Sequence, residues 1–348
     1  MFKRLDANQL LTPADIKPTR GDLYIYGTFN PGSIRVGEEI LLLVRVAEKP
    51  LPEEGIVSTA VLDSEHGGLK TLRFKADDPD VDAHDPREIG YKDEPLLLSS
   101  ISHIRVARSR DGVNFTFDPS PAIFPSEPYE EYGCEDARVT HIDGRYYVNY
   151  SAMSSSGVAT ALAVTDDFRT FEKLGIMFTT YNKDACIFPE KVNGLYVARH
   201  RPFKTKFNRA GIWTAYSPDL IYWGRHFLTM EPQPGMWTSE RIGCCGPAIR
   251  TEEGWLEIFH ASDDTGRYAL GAMLSDLEHP ERRISSSPQP IFEPEMDYEI
   301  NGVYGNCVFN NGFVAESDRT IRLYYGAADT TCAGAVTTVD ELLAAAKG

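Results

Sequence analysis

An internal repeat constrains this chain more than any other feature. A short β-rich run and a turn are followed by a second, smaller apolar run that ends in a Ser/Thr-Asp signal. The first run reads Gly144-Arg145-Tyr146-Tyr147-Val148-Asn149-Tyr150 and returns as Gly194–His200, Gly254–His260 and Thr320–Gly326, with Glu39–Arg45 as the opening copy. The second run appears as Val106–Gly112, Ala161–Phe168, Thr214–Leu220 and Leu270–Leu277, and Phe115, Phe171 or Trp223 follows three of the turns. Self-similarity at about 50 to 65 residues, with several strands per unit, is the signature of propeller blades. A β-sandwich would carry no such repeat. The chain is therefore expected to be all-β, a five-bladed β-propeller forming a single domain over residues 1–348. Residues 50–100 read as an insertion in the first blade. Only Val339–Ala346, rich in good helix formers, predicts a helix, short and C-terminal.

Composition narrows the partners. The net charge is −16, and nucleic acid and anionic membranes both require basic surface, so neither is expected as a partner. No apolar run reaches the ~18 residues of a transmembrane helix. Met1-Phe2-Lys3-Arg4-Leu5-Asp6 lacks the apolar core of a signal peptide, which gives a cytoplasmic expectation. The six cysteines (Cys134, Cys186, Cys244, Cys245, Cys307 and Cys332) show no C-x-x-C pair, so free thiols are expected, with neither metal nor disulfide framework.

In a propeller the innermost strands line a central channel, so chemistry gathers where each repeat opens. Those positions are polar: Asn30 and Arg45 in the first repeat; Glu135, Asp136 and Arg138 in the second; Lys183, Asp184, Glu190, His200 and Arg201 in the third. The fourth offers Glu240, Arg241 and His260, and the fifth Asn306, Asn310 and Asp329. Strand-end Asp and Arg are ordinarily turn residues and surface ion pairs. Here the equivalent positions of all five repeats are polar and flanked by apolar runs. Charges so placed need partners or a ligand to offset desolvation, and a ring of carboxylates and cations suits a polyhydroxylated substrate.

From about residue 20 onward the chain resembles glycoside hydrolase family 130, the β-mannoside phosphorylases and related β-1,2-mannosidases. The resemblance is carried by Phe29-Asn30-Pro31-Gly32, Leu42–Val46, Ser102–Ser109, Gly133-Cys134-Glu135-Asp136-Ala137-Arg138 and Asn182-Lys183-Asp184. It continues through Phe188–Lys191, His200-Arg201-Pro202, Arg241-Ile242-Gly243 and Tyr324–Asp329. It implies a five-bladed propeller and an inverting reaction with one enzymic acid, Asp136, whose proton reaches the glycosidic oxygen through the 3-hydroxyl of the bound mannose. Ala137 stands where the family usually has proline. The resemblance further implies a phosphate cradle of Lys183, Arg201, Arg241, His260 and Tyr268, with Lys and Arg exchanged at 183 and 241 relative to the usual motif. Mannose would be held by Asn30, Arg45, Asp184 and Asp329, with Arg105 and His103 shaping the site, while Tyr132, Tyr304 or Phe203 would stack on the second sugar.

Inversion needs an acid at the leaving group and a nucleophile on the opposite face of the ring. Phosphate arrives already anionic, so it needs donors and cations rather than a second carboxylate. The expected activity is thus phosphorolysis of β-mannosides, β-1,2-linked manno-oligosaccharides first, giving α-mannose 1-phosphate. Inorganic phosphate is the co-substrate, no cofactor is expected, and many members of the family self-associate, making a homo-oligomer possible. Two other readings stand beside it. An inverting β-1,2-mannosidase would use Glu190 or Glu240 as the base for water, and a non-catalytic glycan-binding propeller would lack the acid or the anion cradle.

Overall fold

The computed structural model describes all 348 residues. The chain is all-β apart from two 3-10 turns, one four-residue helical turn and the C-terminal helix Val339–Lys347. Its repeated strands fall into five successive antiparallel units, the first two joined in one eight-stranded sheet by a parallel pair at Ser102 and Gly133, the fourth carrying an added strand, Ile249–Thr251. Unit one is Leu23–Val36, Glu39–Pro50, Ile101–Ser109 and Thr116–Phe117; unit two is Gly133–Ile142, Arg145–Ser154, Gly157–Thr165 and Glu172–Phe178. Unit three is Asn182–Ile187, Tyr196–Pro202, Ile212–Ser217 and Gly224–Met230; unit four is Arg241–Cys244, Gly254–Ser262, Tyr268–Ser275 and Arg283–Ser286. Unit five has Val308–Ala315, Thr320–Ala327 and Thr331–Thr338, and its fourth strand is the N-terminal Lys3–Arg4, with Lys3 opposite Val336. The two chain ends therefore share one sheet, so fraying of the N-terminus would expose an edge.

The repeat seen in the sequence is the middle pair of strands in each unit. These strands are covered on both faces, as in Gly254–Ser262, whose nine residues are all buried, and such strands read as continuous apolar runs. The recurring Ser/Thr-Asp signal is one turn used repeatedly. The Ser109, Thr165 and Ser217 hydroxyls accept from the backbone N–H three residues on. Asp111, Asp167, Asp219 and Asp276 each accept from two consecutive N–H groups that follow. Short polar side chains thus satisfy backbone donors where the ladder stops.

The C-terminal helix packs Val339, Leu342, Leu343 and Ala346 into the largest apolar cluster, 20 buried residues shared by units four and five. Its first turn is capped by Thr338, whose hydroxyl accepts from the Glu341 N–H at 3.2 Å. All six cysteines are buried and unpaired. Residues 50–100 leave unit one as a hairpin, Ile56–Leu62 with Leu69–Lys75, followed by three short strands ending at Leu97–Leu98. No helix is long and apolar enough to cross a membrane.

The first strands of the units meet backbone to backbone. A Cβ on Gly32 would lie 2.4 Å from the Ala137 carbonyl, and one on Gly312 would lie 2.5 Å from the Ser33 nitrogen. Only glycine allows that approach.

Candidate active site

Three of the first strands carry the same irregularity. The pairing register slips at Phe29/Gly32, Glu135/Arg138 and Lys183/Cys186, and within each slip sits a residue with positive φ: Asn30 (50°), Asp136 (50°) and Asp184 (52°). Asn and Asp are the side chains that best tolerate this backbone. A bulge re-aims a side chain, and these three bulges set Asn30, Asp136 and Asp184 at the same level of neighbouring strands.

Asp136 is 2% exposed. Its Oδ1 accepts from Asn30 Nδ2 at 3.0 Å and from Arg45 Nη1 at 3.4 Å, while Lys183 Nζ stands 3.8 Å from Oδ2. Burial pushes its pKa up, but Arg45, Lys183 and the Asn30 amide outweigh that and hold it below the ordinary carboxylate value. Glu135, paired with Arg45 at 2.6 Å, is raised by burial. Asp329 is pushed up to about 6, first by burial and then by the charge of Asp136, against the opposing pull of Arg45. Asp136 is thus held in its ionised form more firmly than Asp329.

Asp136 opens into a cavity of about 170 Å³ shared with Asn30, Arg45, Lys183, Arg241, Tyr268 and Asp329. Lys183 and Arg45 continue into an adjoining space of about 230 Å³. Lys183, Arg241 and Tyr268 also wall an outer cleft of about 650 Å³, together with Arg201, Tyr132 and Phe203. Arg241 remains 42% exposed, and its nearest carboxylate, on Glu240, is 3.9 Å away. Lys183 has no carboxylate closer than the 3.8 Å of Asp136. Two cations beside an acid thus keep donors free for an anion.

This pairing of a buried acid with an open cationic wall is matched by relatives. A family model described as beta-1,4-mannooligosaccharide phosphorylase matches residues 89–347. The chain belongs to glycoside hydrolase family 130. It is 43% identical over 344 residues to a beta-1,2-mannobiose phosphorylase of Listeria innocua, covering 98% of this chain and 97% of that one. It is 39% identical to a 1,2-beta-oligomannan phosphorylase of a Thermoanaerobacter species, over 68% of this chain and 78% of that one. The solved structure of the Listeria innocua enzyme in complex with beta-1,2-mannobiose superposes with a TM-score of 0.94 at 41% identity, covering 99% of both chains.

Set against the residues expected from the family motifs, Asn30, Arg45, Asp136, Lys183, Arg241, Tyr268 and Asp329 do share the inner cavity, and Arg201 lines the outer cleft. Four others stand elsewhere. Asp184 lines neither space. It is 1% exposed, and its oxygens accept from Arg201 Nε at 2.7 Å and Arg138 Nη2 at 3.2 Å, with His260 Nε2 also at 3.2 Å. His260 is 0% exposed and lowered to about 4, by burial first and against the pull of Asp184, so it is neutral. Its ring packs on Phe309 at 4.3 Å. Asp184 and His260 lie behind Arg201, with three nitrogen atoms already within hydrogen-bond reach of the two Asp184 oxygens. Arg105 leaves the face of its strand opposite to Ile104 and Ser102. Ser102 accepts from Arg45 at 3.1 Å, whereas Arg105 reaches the Pro119 carbonyl at 3.4 Å and lies on the side of Glu48, which also engages His103. Glu190 pairs with Arg250 at 3.3 Å. It follows the far end of Asn182–Ile187, roughly 20 Å from Lys183 at the usual rise per strand residue. Glu240 does reach the cleft, but both its oxygens accept from Lys204 at 2.9 Å.

Arg138 is marked in the sequence as a polar opener of the second repeat but without a role, and the contribution of the insertion is not foreseen. Arg138 donates to the Asp136 carbonyl at 3.0 Å, the Cys245 carbonyl at 3.1 Å and the Asp184 carboxylate, which fixes the bulge that aims Asp136. The insertion returns over the mouth and supplies Arg87 and Glu88 to the cavity walls. The first had a signal in the Glu-Asp-Ala-Arg spacing; the second had none, because nothing in an insertion's sequence says where it folds back.

Proposed function

We propose that the protein is an inverting phosphorylase that cleaves β-1,2-linked mannosides with inorganic phosphate, releasing α-mannose 1-phosphate. The observation that carries this is the placement of Lys183 and Arg241, whose nearest carboxylates stand at 3.8 and 3.9 Å, in one cavity with Asp136. The names of the relatives, with near-complete coverage by the mannobiose phosphorylase, support the same substrate class.

In this reading mannose is met by Asn30, Arg45 and Asp329, and phosphate by Lys183, Arg201, Arg241 and Tyr268. Asp184 and His260 hold Arg201 rather than touch either substrate. Phosphate attacks the anomeric carbon from the face opposite the leaving oxygen as the C–O bond breaks. Asp136 supplies the proton, relayed in this family through the mannose 3-hydroxyl. An ionised Asp136 must first acquire that proton. A phosphate anion drawn to Lys183 offsets the charge that holds Asp136 ionised, so phosphate binding raises its proton affinity. One event therefore brings the nucleophile and arms the acid. The hydrolytic alternative finds less support, since Glu190 lies far off and Glu240 is held by Lys204.

We read the five units as the blades of one five-bladed propeller spanning residues 1–348, closed by the N-terminal strand. Incubation with β-1,2-mannobiose, with and without phosphate, tests the activity. Mannose 1-phosphate should appear only with phosphate; equal release of mannose in its absence would refute the reading.

A further inference from the structure

Resting on the phosphorylase reading above, we propose that Arg87, carried by the insertion of unit one, recognises the leaving sugar and determines which acceptor the enzyme takes. Arg87 lines both the cavity of Asp136 and the adjoining space, which it shares with Glu88, Tyr26 and Ser100. Its position is fixed on three sides. Nε and Nη2 donate to the two Asp85 oxygens at 2.9 and 2.6 Å, the guanidinium lies 5.1 Å over the Tyr304 ring, and Tyr304 is itself anchored to the Gly266 carbonyl at 3.0 Å. Lys49 ties down the same turn through the Pro86 carbonyl at 2.7 Å.

The charge balance separates Arg87 from the phosphate wall. Asp85 neutralises it, and Glu88 adds a further carboxylate beside it, so this side of the cavity offers no net attraction to an anion. Lys183 and Arg241 have their nearest carboxylates only at 3.8 and 3.9 Å, against 2.6 Å for Arg87. What Arg87 retains is Nη1, without a partner in the chain, on a guanidinium oriented by Asp85 and the Tyr304 ring. A neutralised, oriented donor beside a carboxylate acceptor suits the hydroxyls of a neutral sugar. Inversion places phosphate and leaving group on opposite faces of the anomeric carbon. With phosphate held at Lys183 and Arg241, the leaving sugar would meet Arg87 across the inner cavity, while Glu88 borders both the adjoining space and the outer cleft. The insertion lies outside the repeated strands, so it can vary without disturbing the catalytic centre.

The test uses the synthetic direction, with α-mannose 1-phosphate and mannose supplied to the intact protein and to Arg87→Ala and Arg87→Lys. The KM for mannose should rise about tenfold in Arg87→Ala, as expected for loss of an oriented hydrogen bond, while that for mannose 1-phosphate changes less than about twofold. Arg87→Lys should recover part of the loss. An unchanged mannose KM, or an equal rise in both, overturns the proposal. If the unsubstituted enzyme forms no disaccharide, the phosphorylase reading fails separately. The KM for β-1,2-mannobiose cleavage in phosphate-free buffer then takes the same test, and an unchanged value in Arg87→Ala overturns the role of Arg87.

Discussion

Asp184→Asn separates a buried support from a sugar ligand. The carboxylate is enclosed, with Arg138 and Arg201 on its two oxygens and His260 against one of them. Replacing it by an amide keeps its shape but leaves two guanidiniums without their counter-charge, one of them wholly buried. Breaking a buried ion pair from one side costs about 3–5 kcal/mol. An unfolding entropy near 2.1 cal/mol/K per residue over 348 residues gives about 0.73 kcal/mol/K, so the melting temperature should fall by about 4–7 °C. Calorimetry at pH 7 measures it. The pH profile gives a second check. The folded pKa of Asp184 is held well below its ordinary value because Arg201 and His260 outweigh burial. Its stabilisation is therefore complete above the unfolded carboxylate pKa of about 4 and is lost as pH falls toward the folded value. The intact protein should lose stability below about pH 4, and the variant should lose less there. A variant that is inactive yet melts within about 1 °C of the parent would refute the supporting role and return Asp184 to the sugar.

Other substitutions probe the remaining assignments. Lys183→Met should cut kcat/KM for phosphate by about 30- to 160-fold, the loss of one charge-assisted contact of about 2–3 kcal/mol, read from initial rates at varied phosphate. Glu190→Gln should keep kcat within about twofold, since its only ion pair is with Arg250, away from the cleft; a large loss would reopen the hydrolytic reading. Asp329 has a folded pKa of about 6, above the unfolded value, so it costs stability progressively as pH rises from about 4 through 6. Asp329→Asn should therefore gain melting temperature over the parent at pH 8 and little at pH 4, while losing activity; no pH-dependent difference would refute the shift.

The all-β class was legible because the middle strands of each unit are buried on both faces and carry their apolar runs openly, and the family because polar motifs such as Gly133–Arg138 and Asn182–Asp184 stand in the first strands. The polar first strands and half-exposed fourth strands gave no such pattern, which is why the N-terminal strand's place in unit five went unseen. A second repeat also escaped notice. Ile123-Phe124-Pro125 with Tyr129-Glu130 matches Ile291-Phe292 with Pro294 and Tyr298-Glu299. Glu130 and Glu299 each accept two backbone N–H groups and a tyrosine hydroxyl, and each faces a cation, Lys173 or Arg4. At the site, residue type showed which positions were polar but not which way each strand turned them. The family motif therefore grouped Asp184 and His260 with the groups they lie behind, and Arg105 with those on the opposite face of its strand.

Phosphate, not water, should close the bond that Asp136 helps to break, with inversion. Time-resolved ³¹P and ¹H NMR of β-1,2-mannobiose with phosphate tests it directly. α-Mannose 1-phosphate and mannose should rise one for one, and neither should appear with Asp136→Asn. Two mannoses per disaccharide with the phosphate signal unchanged, or a β-anomer of the phosphate ester, would contradict it.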